Sequence, residues 1–171
     1  MNFKNSFFAA FTFVSLTAVS CKSGAVKQET AIKQSKKEVI AIIDKVNNHW
    51  QNSHPELGNA FWNVAAYHTG NMEAYKVTQN KKYLDYSLAW AEKNQWMGAK
   101  SNDKSEWKYN YGENDKHVLF GDWQICFQTY IDLYNFTGKT DPQKIARARE
   151  VMEYQMSTSA NDYWWWVDGL Y

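Results

Sequence analysis

The sequence has few cysteines, few prolines and almost no net charge. Its two cysteines, Cys21 and Cys126, are too few for a disulfide framework, and neither lies in a Cys/His pattern with zinc-ligand spacing. The two prolines, Pro55 and Pro142, leave long stretches free to form helices. A net charge of +1 gives no strongly basic surface of the kind that binds nucleic acid. The sequence also lacks a phosphate-binding loop and a Ser/His/Asp order, so we expect no metal, no other cofactor and no nucleic-acid partner.

Aromatic residues, in contrast, are abundant. Nine Trp, eleven Tyr and nine Phe make up 17% of the 171 residues. A hydrophobic core rarely needs so many Trp and Tyr, because their polar tips require hydrogen-bond partners when buried. Carbohydrate clefts do use such side chains, which stack on sugar rings. The length is sufficient for one domain with a core, and the dispersed charged residues, 22% of the chain, argue against disorder.

The first twenty residues have the pattern of a signal peptide. Lys4 supplies a positive charge, and an apolar run over 7–16 comes next that is too short and too rich in Ser and Thr to span a membrane comfortably. Small residues then lead directly into Cys21, which resembles a bacterial lipoprotein cleavage box. That resemblance implies lipidation of Cys21 and a location in the bacterial cell envelope, in the periplasm or on the outer surface. The alternative is an ordinary secretory signal in which Cys21 is incidental.

After the signal peptide the composition changes twice. Residues 21–35 are mostly small and polar, which predicts an anchor and a tether. Residues 36–171 carry apolar residues at spacings of three and four, which predicts a helical domain. The predicted helices cover residues 36–51, 61–78, 81–96, 119–136 and 141–156.

A weak internal echo favours an array of helical hairpins. The sequences 74–78 and 133–137 each place an aromatic residue and a Thr at the end of one helix, before a short polar turn opens the next. Antiparallel helix pairs joined by short turns are the unit of such arrays. Gly70 within the second helix either weakens that helix or marks a close approach of another. No stretch alternates cleanly enough to predict a strand, so the predicted fold class is all-α.

The last residues of the chain place a carboxylate among apolar side chains. Asp168 comes after Trp164, Trp165 and Trp166 and precedes Leu170. Burial there would disfavour the charged carboxylate, so its pKa should rise, and a carboxylic acid that stays protonated can act as a general acid. The alternative is a buried helix start in which Asp168 caps backbone N–H groups.

A second carboxylate, that of Asp122, lies at a predicted helix start after an aromatic-rich loop over 101–115. Loops of this length in compact domains are usually functional. Asp122 is equally a plausible N-cap, and Glu113 and Asp115 are rivals for a catalytic role, although a loop surface suits them better. If the helices of Asp122 and Asp168 stand side by side, the two carboxylates could face one cleft and divide acid and base roles.

Several of these stretches resemble unsaturated rhamnogalacturonyl hydrolases, glycoside hydrolase family 105. The related family 88 unsaturated glucuronyl hydrolases share the layout. The run from Trp164 to Tyr171 resembles the catalytic segment of family 105. The other similar stretches are 61–78, 89–96 and 122–134.

This resemblance implies an (α/α)6 barrel of alternating inner and outer helices. It also implies a substrate with a 4,5-unsaturated uronic acid at its non-reducing end, as pectin lyases produce, and hydration of the C4=C5 bond. Asp168 matches the family's general acid/base, and Asp122 matches its second active-site Asp. The expected substrate-binding residues are Trp62, Tyr67, His117, Trp164 and Trp166.

The sequence departs from the family 105 pattern in two ways. The barrel needs about twice as many helices as this sequence holds, so we expect residues 36–171 to be its N-terminal part. Trp123 stands beside Asp122 where many relatives have another acid. A non-catalytic, carbohydrate-binding helical lipoprotein is the alternative function, and a helical repeat protein with an aromatic core is a third.

Overall fold

The structure is a computed structural model that describes residues 22–158. It contains five α-helices, joined by turns and by three short 3₁₀ helices. No strand occurs between residues 22 and 158, so the prediction of an all-α fold is confirmed. The helices are α1 Lys22–Ser53, α2 Trp62–Thr78, α3 Lys81–Lys93, α4 Cys126–Phe136 and α5 Ala146–Ser157.

Helix α1 begins earlier than predicted. The predicted start was near residue 36, but the helix already runs from Lys22. Residues 22–38 are rich in Lys, Gln and Glu, which form helices well without an apolar face, so a search for apolar periodicity misses them. Contacts divide the chain after Glu38, and the unit that begins at Val39 contains the rest of α1 together with α2, α3, α4 and α5.

Helix α4 begins later than predicted, at Cys126 rather than near residue 119. Val118, Leu119 and Phe120 are all buried, and three consecutive buried residues do not fit one face of a helix. The chain instead makes a 3₁₀ helix at Gly121–Trp123 before α4 starts. Helix α3 also ends before the predicted residue 96.

The end of α3 is set by its backbone. Gln95 and Trp96 have φ of 58° and 59°, in the left-handed region that α-helices do not use. Their amides still find acceptors, because Gln95 donates to the Glu92 carbonyl and Trp96 to the Ala91 carbonyl, each at 3.0 Å. The chain therefore leaves α3 without losing these hydrogen bonds and turns toward the long connection to α4.

Helices α2 and α4 lie side by side and run in the same direction. Contacts advance together along both: the Phe61 and Trp123 rings lie 4.8 Å apart, the Thr69 and Thr129 hydroxyls 3.4 Å, and the rings of Tyr75 and Phe136 5.2 Å. The intervening α3 is antiparallel to α2, since Asn71 bonds to the Tyr83 carbonyl whereas the earlier His68 stacks on the later Trp90.

The repeated sequence pattern at 74–78 and 133–137 corresponds to the C-terminal turns of these two parallel helices. Thr78 donates its hydroxyl to the carbonyl of Ala74, four residues earlier, at 2.7 Å. Thr137 does the same to Leu133 at 2.8 Å. Both helices therefore end with the same side-chain hydrogen bond. This agreement supports an arrangement of repeated helical hairpins.

The apolar face predicted for α1 is only partly buried. Ile40, Ile43 and Trp50 are half-buried, whereas Val39, Ile42 and Val46 remain 50%, 63% and 60% exposed. An open groove of about 450 Å³ lies between these exposed residues and the small residues of α2. No helix within the described residues is long and apolar enough to cross a membrane.

Gly70 lines this groove, and it does not mark a close helix contact among the described residues. A Cβ built on Gly70 would meet no atom within 4 Å. The second alternative for this glycine, a close approach, is therefore wrong within residues 22–158.

Candidate active site

The candidate site begins where two helix starts meet. The Phe61 ring, just before α2, lies 4.8 Å from the ring of Trp123 and 6.3 Å from that of Phe120. This packing places the first turn of α2 beside the 3₁₀ helix that carries Asp122. Trp62, the first residue of α2, is 48% exposed. An exposed indole at this position is available for stacking on a sugar.

The side chain of Asp122 is half-buried. Within residues 22–158, no hydrogen bond reaches this carboxylate, and the N-cap residue of α4 is Ile125, with no side-chain cap. The structure therefore gives no support to the alternative that Asp122 is a helix cap. Burial raises the pKa of Asp122 above its ordinary value, and the negative charge of Glu113 adds to the rise.

The loop before this turn is held against it at Gly112. The Trp123 indole Nε1 donates to the Gly112 carbonyl at 3.2 Å. On its other side Gly112 is covered by His117, because a Cβ built on Gly112 would lie 2.1 Å from the imidazole. Any side chain at position 112 would therefore require the His117 ring to move. The contact brings Glu113 near Asp122, a proximity that the sequence pattern does not predict.

His117 supports the loop in this structure. Its Nδ1 lies 2.9 Å from the Asn114 side-chain oxygen, so Nδ1–H is the donor. In the neutral imidazole Nε2 is then an acceptor, which does not suit a carboxylate ligand. Binding of substrate by His117 stays a prediction and requires protonation of Nε2.

Tyr67 lies away from Asp122, in the contact between α1 and α2. Its hydroxyl donates to the Asn47 side-chain oxygen at 2.8 Å and accepts from Gln51 at 3.3 Å, and its ring stacks 4.4 Å from that of Trp50. Burial raises the pKa of Tyr67 to about 12. These contacts indicate a packing role, and substrate binding by Tyr67 stays a prediction that they do not favour.

Asp168, Trp164 and Trp166 lie outside the described residues, as do Cys21 and the predicted signal peptide over 1–20. No group of three or more His, Cys, Asp and Glu side chains that could hold a metal ion occurs in the part of the chain that the structure describes.

Gly98 is a site-forming residue that the sequence pattern does not reveal. It is buried, and a Cβ built on it would lie 2.0 Å from the backbone oxygen of Trp123, next to Asp122. The connection after α3 therefore touches the turn that carries Asp122, backbone to backbone. A lone glycine after a helix has no distinctive sequence signal, so only the fold reveals this role.

A matched pair of glycine substitutions tests this contact. We expect Gly98→Ala to lower the free energy of unfolding by about 1–3 kcal/mol, because a backbone atom must move to make room. Gly70→Ala, in open space within α2, should instead raise it by about 0.5–1 kcal/mol. Denaturant titration of both variants measures the difference. Equal effects in the two variants would contradict the proposed close contact at Gly98.

Comparison with known proteins identifies the family. The model of Glycosyl Hydrolase Family 88 matches residues 25–171, which is most of the chain. The chain belongs to glycosyl hydrolase family 88. The family match begins inside the segment predicted as a tether, residues 21–35. Membership supports an enzyme that acts on glycosides, and it confirms the predicted family resemblance at this coarser level.

Two solved structures are similar to this family 88 chain. One, described as a polysaccharide lyase, is 65% identical with a TM-score of 0.73, over 77% of this chain and 37% of its own. The other, a glycosyl hydrolase family 88 protein from Bacteroides vulgatus, is 57% identical with a TM-score of 0.71, over 75% of this chain and 36% of its own. The chain thus spans just over a third of each solved relative. A search of curated proteins found no match.

Proposed function

We propose that the full-length protein removes a 4,5-unsaturated uronic acid from the non-reducing end of pectin-derived oligosaccharides. One observation supports it above all: within residues 22–158, no hydrogen bond reaches the half-buried carboxylate of Asp122. The 3₁₀ helix that carries Asp122 packs against Phe61 at the start of α2, where Trp62 is exposed. An acid with a raised pKa next to a stacking surface suits proton transfer on a bound sugar. Membership of family 88 supports the glycosidase class, and the similarity to family 105 motifs supports this substrate.

The proposed chemistry is hydration of the C4=C5 double bond. Asp168 donates a proton to C4, water adds at C5, and a carboxylate, which we assign to Asp122, accepts the proton that the water loses. The resulting hemiketal at C5 opens and releases the neighbouring sugar. Each proton given to the sugar is balanced by one taken from water, so no cofactor or redox partner is required.

An assay of double-bond absorbance separates the candidate functions. The full-length protein is incubated with an unsaturated pectin disaccharide, and a fall in ultraviolet absorbance at the double bond is the expected result. One solved relative is described as a polysaccharide lyase, and lyase activity would instead raise the absorbance on intact pectin. If the protein binds the disaccharide and leaves the absorbance unchanged, it is the alternative carbohydrate-binding protein, a role that the exposed Trp62 also fits.

We also propose that Cys21 carries a lipid that anchors the protein in the bacterial cell envelope. The supporting observation is the run of small residues that leads into Cys21 after an apolar segment. We expect Cys21→Ser to move the protein from the membrane fraction to the soluble fraction of cells. Cys126→Ser is the matched control, since that thiol is buried within the fold. Unchanged fractionation of Cys21→Ser, with no acyl mass on the wild type, would refute the anchor.

A further inference from the structure

An exposed aromatic ring stands next to Asp122 in the loop before α4. Tyr111 is 62% exposed, yet its ring is fixed, because it packs edge-to-face on Phe120, with the ring centroids 5.4 Å apart. Phe120 itself is fully buried. An exposed phenol ring held in one orientation is a suitable surface for the apolar face of a sugar.

A carboxylate accompanies this ring. The Tyr111 hydroxyl donates to Oε1 of Glu113 at 3.2 Å, and no hydrogen bond to Oε2 occurs within residues 22–158. The free oxygen can accept a hydroxyl proton from a bound sugar. The negative charge of Glu113 also adds to the raised pKa of Asp122, so the two carboxylates lie close enough to interact.

Tyr111 and Glu113 lie on either side of a turn that tertiary contacts hold in place. Gly112, between Tyr111 and Glu113, is held by the Trp123 indole on one side and covered by the His117 ring on the other. A preorganised turn loses less conformational entropy when it binds a ligand than a flexible loop does. Tyr111 and Glu113 therefore already hold their positions relative to Asp122 before a ligand binds.

We propose that Tyr111 and Glu113 form the subsite for the sugar that is attached to the unsaturated uronic acid, and that this sugar is uncharged. Tyr111 stacks on the sugar, and Glu113 accepts a hydrogen bond from one of its hydroxyls. Glu113 also repels a sugar that carries a carboxylate or a sulfate, because like charges brought together in a binding site cost free energy. This inference rests on the proposed function, and it adds which sugar the site accepts next to the unsaturated uronic acid.

The test compares two unsaturated disaccharides in the full-length protein. One carries a neutral sugar after the unsaturated uronate, and the other carries a galacturonate there. We expect the wild type to prefer the neutral substrate in kcat/KM. Glu113→Gln should reduce that preference by about tenfold, mostly through a lower KM for the galacturonate substrate. The wild-type preference should also weaken as salt is added, since salt screens the repulsion at this exposed carboxylate.

Three further variants separate this role from a structural one. Tyr111→Ala should raise KM for both substrates, whereas Tyr111→Phe keeps the ring and should retain neutral-sugar binding. Glu92→Gln removes an exposed carboxylate on α3 and should leave the preference unchanged. An unchanged preference in Glu113→Gln, or a wild type that prefers the galacturonate substrate, would overturn the proposal.

A binding measurement keeps this inference distinct from the proposed function. Calorimetric titration of the full-length protein with the free neutral sugar should show binding that Tyr111→Ala abolishes and that Tyr111→Phe keeps. If no unsaturated disaccharide is hydrated and this binding is present, the hydrolase function fails and the sugar subsite stands. If hydration occurs and the variants leave sugar binding unchanged, the subsite fails and the hydrolase stands.

Discussion

Asp122→Asn in the full-length protein should lower the rate of double-bond hydration by about 10²–10⁴-fold, the range that general acid/base groups typically contribute. Asparagine keeps the shape of the side chain but cannot accept the proton from water. Since no hydrogen bond within residues 22–158 reaches the carboxylate of Asp122, the substitution removes no structural contact among these residues. The free energy of unfolding should therefore stay nearly constant while activity falls.

The pH dependence adds a second readout for Asp122. Burial raises its pKa above the ordinary 3.8, so the acid limb of kcat/KM should titrate above that value in the wild type. The limb should disappear in Asp122→Asn. Asp168→Asn should lose activity to a similar degree, because it removes the proposed proton donor. Asp85→Asn, an exposed carboxylate on α3, is the matched control. Near-full activity in Asp122→Asn would refute the catalytic assignment.

The second large effect concerns His68, which has no contact with Asp122. It is fully buried, stacked 4.0 Å from the Trp90 ring, with Nδ1 3.0 Å from the Ser87 hydroxyl. Its Nε2 has no hydrogen-bond partner among the residues that the structure describes. Burial lowers the pKa of His68 from 6.5 to about 3, so the folded state holds a neutral imidazole where the unfolded state gains a proton.

This difference makes the stability depend on pH. Above pH 6.5 the imidazole is neutral in both states and His68 adds no pH dependence. As the pH falls below 6.5 the unfolded state binds the extra proton, so stability decreases by up to about 1.4 kcal/mol per pH unit, until the folded imidazole is protonated near pH 3. Summed over that window, the loss is about 4–5 kcal/mol.

Denaturant titrations of the full-length protein between pH 7 and pH 4 measure the larger part of this loss, about 3–4 kcal/mol. His68→Gln keeps a polar side chain that can bond to Ser87 but does not titrate in this range. We expect the variant to be less stable than the wild type at pH 7 and to have a shallower slope of stability against pH. Parallel slopes for the two proteins would show that His68 is not the group responsible.

The sequence predicted the helices better than it predicted the site. Apolar spacing located most of the helices, because burial of one helix face leaves a period that can be read directly. The Asp141-Pro142 pair starts a 3₁₀ helix instead of α5, which begins at Ala146. Asp122 was found because a carboxylate beside tryptophan stands out in a sequence. Glu113 lies on the loop surface, as the sequence predicts. Its proximity to Asp122 could not be predicted, because it depends on the contacts of Gly112, which join residues that no periodicity connects.

Other contacts escape the sequence for the same reason. Tyr67 is an aromatic residue in a stretch that resembles a glycosidase family, but its partners, Asn47 and Gln51, are on a different helix and cannot be inferred from its own neighbours. The start of α1 was missed because residues 22–38 have no apolar face. Tertiary contacts across separate elements decide such features, and local patterns do not contain them.

The parallel pairing of α2 and α4 has a consequence for the order of folding. Contacts between α2 and α3 join residues 12 to 22 positions apart, whereas the Thr69–Thr129 contact joins residues 60 positions apart. Closing the longer loop costs more chain entropy, so the α2–α3 hairpin should form before α4 docks. Because the 3₁₀ helix that carries Asp122 meets the start of α2 only after that docking, the candidate site is among the last parts of this unit to assemble.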